Sequence, residues 1–173
     1  MKYFLDTEFY ERPKTIELIS IGVVCEDGRE FYCESLDYAQ KLDNSSEWLK
    51  NNVIPHLWHL KMGCAGWWHK FPNIQGGLLQ DKRIGDLLQE FIIDENPEFW
   101  GYYCDYDWVV TCWLFGSMID LPKKFPMFCR DLRQLADDIG CKELPQQADN
   151  EHHALNDARW NKDVFDYLMT LKN

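Results

Sequence analysis

Three short β-forming runs follow one another within residues 2–34, and they constrain the fold more than any other feature. Lys2–Phe9 is apolar-rich with two acids set into it; Ile16-Glu17-Leu18-Ile19-Ser20-Ile21-Gly22-Val23-Val24 is β-branched; Glu30–Glu34 supplies a return strand. Asp27-Gly28, between the second and third runs, is a hairpin signal, so three consecutive antiparallel strands are predicted. Their apolar faces must be covered by the remainder of the chain, whose pattern is mostly helical. Ser45 or Ser46 caps a helix through Glu47–Lys50. Pro55, Gly63, Gly66, Pro72 and Gly76-Gly77 then break up the chain. Ile84, Leu87, Leu88 and Phe91 recur at helical spacing. Glu98–Tyr103 reads as a buried strand. Val109, Val110, Trp113 and Leu114 predict a helix ending near Gly116. Leu132, Leu135, Ala136 and Ile139 predict another stopping at Gly140, and the last helix runs from about Ala154 to Leu171. Strands first, then alternating helices and strands, predict one α/β domain on a mixed sheet across residues 1–173.

The 173 residues are 46% hydrophobic, enough for a substantial core. Lys plus Arg number 18 against 29 Asp plus Glu, a net charge of -11. That balance excludes a protein held on nucleic acid by a bulk basic surface, but allows a nucleic-acid enzyme whose acidic site reaches phosphate through bound cations. No apolar run approaches the roughly 18 residues of a membrane span, and Asp6 and Glu8 fall where a secretory signal would be apolar. Seven cysteines without a CxxC pair indicate neither a disulfide framework nor a zinc ribbon. A soluble, reduced, cytoplasmic protein is expected.

Three constellations carry chemistry. Asp6-Thr7-Glu8 places carboxylates at i and i+2 of the first strand, on one face. Adjacent carboxylates repel by up to about 4 kcal/mol at roughly 4 Å and an effective dielectric near 20. A cation is expected to offset this, and hard divalent ions favour oxygen donors; taken alone, the pattern also suits an edge strand with solvated acids. The second, Glu151-His152-His153-Ala154-Leu155-Asn156-Asp157-Ala158-Arg159, opens the last helix. His153 and Asp157 share a helical face, whereas His152 and Asp157 lie about 140° apart and converge only if His152 precedes the helix and folds back. Local geometry therefore favours His153. A plain helix start with a first-turn acid accounts for the same residues. The third, Tyr102-Tyr103-Cys104-Asp105-Tyr106-Asp107-Trp108, sits where a strand gives way to a helix, a favoured place for catalytic groups. Helix capping is the simpler account of either acid on its own.

Together, in this order, the three resemble the DEDD superfamily of 3′-5′ exonucleases in its His-containing branch. Its pattern begins with DxE, continues with an Asp after an aromatic, and ends with HxALxDA. The matches here are Asp6-Thr7-Glu8, Tyr106-Asp107 and His152 through Ala158, and the last selects His152 against the local argument. Asp6–Phe9, Thr15–Val24, Glu26–Glu30 and Pro126–Leu135 further resemble the small exoribonuclease family first described from mycobacteria; residues 37–80 are roughly the unmatched part. The resemblance implies an RNase H-like mixed five-stranded sheet flanked by helices, with three antiparallel strands and then strands parallel to the first. It also implies an RNase T-like domain trimming single-stranded RNA from a free 3′ end, with a homodimer among its possible states. Two departures stand out: Asp105 next to the matched Asp107, and a divergent middle containing Trp58, Trp67 and Trp68.

An all-carboxylate cluster suits Mg²⁺ or Mn²⁺ rather than structural zinc. On the resemblance, Asp6, Glu8 and Asp157 are expected to hold one ion and Asp6 with Asp107 a second. His152 is then the general base toward an attacking water, imidazoles ordinarily titrating near about pH 6.5. Phe9, directly after Glu8, is a candidate to stack on the terminal base, with core packing its competing role. The stretch from Trp58 to Arg83 interleaves aromatics with Lys61, Lys70, Lys82 and Arg83 as a strand-binding flap, a dimer contact or a surface loop. Rival functions are a DNA or short-oligonucleotide exonuclease with the same site, and a non-catalytic RNA-binding module. The module is disfavoured because all five expected site residues are present.

Overall fold

The computed structural model describes residues 1–63, 70–148 and 151–172. β1 (Lys2–Arg12), β2 (Thr15–Cys25) and β3 (Glu30–Ser35) form the expected antiparallel meander. At the second turn Gly28 takes a left-handed φ of 90° and donates to the Cys25 carbonyl at 2.9 Å, while Asp27 accepts from the Arg29 amide at 3.0 Å. β4 (Ile74–Leu79) runs parallel to β3, β5 (Glu98–Gly101) parallel to β1, and β6 (Arg130–Asp131) parallel to β5. The sheet order is β4-β3-β2-β1-β5-β6.

The sheet thus has six strands where five were expected. β4 is the addition, and it contains Gly76-Gly77, which the sequence suggested as a break. Gly76 pairs with Tyr32, and a Cβ there would lie 1.7 Å from the Tyr32 carbonyl oxygen. The missing side chain is what lets this edge strand lie against β3.

Strand alternation sends side chains to two opposite layers. Tyr3, Leu5, Ile21, Val23 and Phe31 pack with Ile84, Leu88 and Phe91 of α4 (Asp81–Phe91) and Trp108 and Val110 of α5 (Asp105–Trp113). Phe4, on the other face, joins α6 (Leu132–Asp138) and α7 (Ala154–Lys172) through Leu132, Val164, Phe165 and Leu168. Val24 and Tyr32 meet the first turns of α7 at Ala154, Leu155 and Ala158. Ile19, Tyr38, Leu49 and Val53 seat α1 (Leu36–Ala39) and α2 (Glu47–Asn52), and Ser46 caps α2 by accepting from the Leu49 amide at 3.3 Å. α3 (Trp58–Lys61) is fixed by buried Glu34, which accepts from the Tyr32 hydroxyl and the Trp58 and His59 amides. Trp58 is therefore packed inward, 4.8 Å from Tyr32 and 4.5 Å from Phe71, while Lys82 and Arg83 lie on α4; Trp67 and Trp68 fall outside the described residues. Among the described residues, no helix is long and apolar enough to cross a membrane.

Two contacts place α7 against β1 and β2. Gly22, opposite Asp6 in the β1–β2 register, has the α7 backbone directly over it; a Cβ there would be 2.4 Å from Ala154 and Leu155 main-chain atoms. Buried Asn161 donates to the Leu5 carbonyl at 2.8 Å, in the stretch of β1 just beyond its pairing with β5.

Candidate active site

Asp6 and Glu8 point from β1 toward α7, where Asp157 occupies the first turn. One carboxylate oxygen from each of the three lies within 4.8 Å of the others. A register shift between Glu8 and Phe9 interrupts the β1–β2 ladder here, a bulge of the kind that re-aims side chains beside functional sites. Asp107 reaches the same cleft from α5, on the opposite side of the sheet. Its Oδ1 accepts from the Thr7 amide at 2.8 Å and the Thr7 hydroxyl at 2.6 Å. Asp105 is exposed at the start of α5, and neither acid caps that helix; its N-cap is Cys104, without a side-chain bond.

The two histidines part company. His152 precedes α7 with a left-handed φ of 64°, and its amide donates to Asp157 Oδ2 at 3.0 Å. That left-handed residue folds the chain back so that the backbone amide at i reaches the side chain at i+5. His153 is buried instead, its ring stacked 4.6 Å from Tyr32 and 5.1 Å from Trp58, and both ring nitrogens lack a hydrogen-bond partner. Because α7 begins at Ala154, His153 lies outside the helix and shares no helical face with Asp157; its ring sits in the core while Asp157 lines the cleft.

Asp6, Thr7, Glu8, Phe9, Trp48, Asp107, His152 and Asp157 line one cleft of about 340 Å³. Phe9 stands at its edge, meeting Tyr106 edge-on at 5.9 Å. Trp48, which the sequence offered only as a residue in a capped helix, is 54% exposed and contacts the His152 ring edge-on at 5.0 Å. Gln147 is a second addition, donating to Asp157 Oδ1 at 2.5 Å. No local pattern marks either residue for its role: both come from segments without strong periodicity, and only the fold brings them here.

Electrostatically the cleft is a concentration of uncompensated anions. Burial, then repulsion from Asp107, Asp157 and Glu8, holds Asp6 well above the ordinary carboxylate range; burial and Asp157 do the same to Glu8. Burial pushes Asp107 up to about 6 against the pull of the Thr7 hydrogen bonds, and Asp157 to about 6 against those of Gln147 and the His152 amide. Besides the contact between Glu8 and Asp157 themselves, the hydrogen bonds to these acids come from neutral groups, Thr7, Gln147 and the His152 amide, and among the described residues no Lys or Arg pairs with them. Three hard oxygen donors within reach of one another, crowded and lacking a protein cation, fit a divalent metal ion of the Mg²⁺ or Mn²⁺ type.

Residues 1–169 match the 3′-5′ exoribonuclease Rv2179c-like domain. The chain belongs to that family. It is 39% identical over 159 residues to the 3′-5′ exoribonuclease Rv2179c of Mycobacterium tuberculosis strain H37Rv, a match spanning 92% of this chain and 88% of the relative. The 3′-5′ exoribonuclease MT2234.1 of M. tuberculosis strain CDC 1551 matches with the same identity and coverage. All the acids of the cleft, His152, Phe9 and Trp48 fall inside the matched span of the family.

Proposed function

We propose that this protein is a metal-dependent 3′-5′ exoribonuclease that hydrolyses the terminal phosphodiester of single-stranded RNA. The observation that carries this reading is the Asp6–Glu8–Asp157 cluster, its oxygens within 4.8 Å of one another, beside a histidine in an open cleft. Membership of the family supports the substrate and the polarity of attack.

Asp6, Glu8 and Asp157 would hold one Mg²⁺ or Mn²⁺, and Asp6 with Asp107 a second. Bound there, the ions supply Lewis-acid polarisation of the phosphodiester and an acidified water. The protein does the rest by position and proton transfer. A ring nitrogen of His152 takes the proton of the attacking water, so the imidazole must be neutral at the start of the reaction. The hydrogen bond donated by the His152 amide to Asp157 fixes that loop, and Trp48 against the ring limits its rotation. The two Thr7 hydrogen bonds hold the Asp107 carboxylate in place, where with Asp6 it would help stabilise the departing 3′ oxygen of the penultimate nucleotide. Phe9 and Trp48, on the walls of the cleft, offer flat apolar surface to the terminal base, a contact any base satisfies.

The test is a time course on 5′-labelled single-stranded RNA and the matched DNA, with Mg²⁺, Mn²⁺ or EDTA, alongside Asp6→Ala. A ladder that shortens from the 3′ end, stops in EDTA and in the variant, and runs faster on RNA is the expected result. Faster shortening of DNA would transfer the activity to that substrate; intact RNA and DNA under every condition would remove the enzymatic reading.

A further inference from the structure

Beyond the cleft, an aromatic-lined groove continues from Phe9 along the outer face of α5. Phe9 touches Tyr106, and Tyr106, Val109 and Trp113 recur at i, i+3 and i+7, so they share one helical face. That face is open to solvent: the three are 47%, 37% and 45% exposed. Single exposed apolar residues need no account, but a contiguous stripe of them adjoining a cleft does. The tip of the β1–β2 hairpin forms the facing wall, bringing Arg12 and Lys14, and the space between is about 210 Å³. Glu11 also lines it, and Arg12 is engaged by Glu17 and the Tyr10 ring. Lys14, exposed and with a left-handed φ of 69°, has no anionic partner among the described residues. In a chain of net charge -11, an unpaired cation beside two exposed aromatic rings is the combination that single-stranded nucleic acid uses: a phosphate on the cation and bases on the rings.

We propose that this groove is the track for the RNA upstream of the nucleotide being removed, its bases stacking on Tyr106 and Trp113 and a phosphate meeting Lys14. The inference rests on the exoribonuclease reading and extends it to substrate length. Tyr106 and Trp113 are about 10 Å apart along the helix axis at roughly 1.5 Å per residue. That spans about three nucleotides stacked at roughly 3.4 Å.

Binding of 5′-fluorescein oligoadenylates to the full chain carrying Asp6→Asn, measured by anisotropy, tests this without turnover. Affinity is expected to rise from the dinucleotide to the pentanucleotide. Trp113→Ala and Lys14→Glu each lower pentanucleotide affinity by about tenfold and shift the dinucleotide by less than about twofold. Equal losses at both lengths, or none at either, overturn the track. So does sedimentation in which Trp113→Ala converts a dimer to monomers, which would make the groove a contact between two copies. If the unsubstituted protein cleaves no RNA of any length while the length-dependent loss persists, the track stands as an RNA-binding surface and the nuclease reading falls.

Discussion

At position 153 the imidazole serves as a flat ring. Stacked on Tyr32 and close to Trp58, with neither nitrogen hydrogen-bonded, it is held neutral by burial, its pKa pushed down to about 4. A folded-state pKa below the unfolded value of about 6.5 means its contribution is complete above that pH and is lost as pH falls toward 4, about 3 kcal/mol in all. His153→Phe is therefore expected to keep activity and to lessen the fall in urea midpoint between pH 7 and pH 5 relative to the parent protein; His153→Ala should cost about 2 kcal/mol at pH 7. Equal loss of activity in His153→Phe and His152→Ala would return the catalytic role to position 153. The neighbouring acids separate in the same way. Buried Asp107, tied to Thr7, should lose about a hundredfold or more in kcat/KM as Asn, while exposed Asp105→Asn stays within about twofold. Reversed effects would show that α5 presents the other acid.

α7 is the element on which the cleft depends, because Asp157 sits at its first turn, the His152 amide that binds Asp157 lies just before it, and Gly22 sets how closely that turn approaches β2. Gly22→Ala forces a Cβ to within 2.4 Å of the Ala154 and Leu155 backbone, so the helix must move or the strand must bend. The expected cost is about 1–3 kcal/mol of stability. Activity should fall further than that loss explains at temperatures where the variant remains folded, since displacing Asp157 opens the three-carboxylate cluster. Thermal denaturation and kcat measured on the same preparation separate the two effects. Unchanged kcat would mean that α7 shifts without carrying Asp157 away from Asp6 and Glu8.

For the whole molecule, the cleft trades stability for function. Carboxylates whose folded-state pKa values are raised penalise the native state because the unfolded chain ionises first; the penalty is absent below about pH 4, grows as pH rises, and for Asp107 and Asp157 is complete above about 6. Without divalent ions, Asp6→Asn should therefore be more stable than the parent protein at pH 8, and the difference should shrink at pH 5. Mg²⁺ or Mn²⁺ at pH 8 should raise the melting temperature of the parent protein, through preferential binding to the native state, and leave Asp6→Asn nearly unmoved. A parent protein indifferent to both ions at every pH would remove the metal from the site.

The amino-acid sequence alone determined what depends on local period and local turn chemistry. Asp6 and Glu8 share a face because a strand repeats every two residues, Asp27-Gly28 turns because glycine tolerates a left-handed φ, and Ser46 caps a helix because its oxygen reaches the Leu49 amide. The family pattern added His152 and Asp107, which no local rule selects. Tertiary structure decided the rest. Whether Asp105 or Asp107 faces the cleft depends on the rotation of α5, set by Trp108 and Val110 packing on the sheet. Whether His152 or His153 turns inward depends on one left-handed residue and on the Tyr32 and Trp58 rings waiting across the fold. β4 exists because Gly76 fits beneath the Tyr32 carbonyl, and Trp48 reaches the cleft because α2 docks on Ile19 and Tyr38. These are contacts between residues far apart in the chain, and they are made by packing, which no periodicity within one segment encodes.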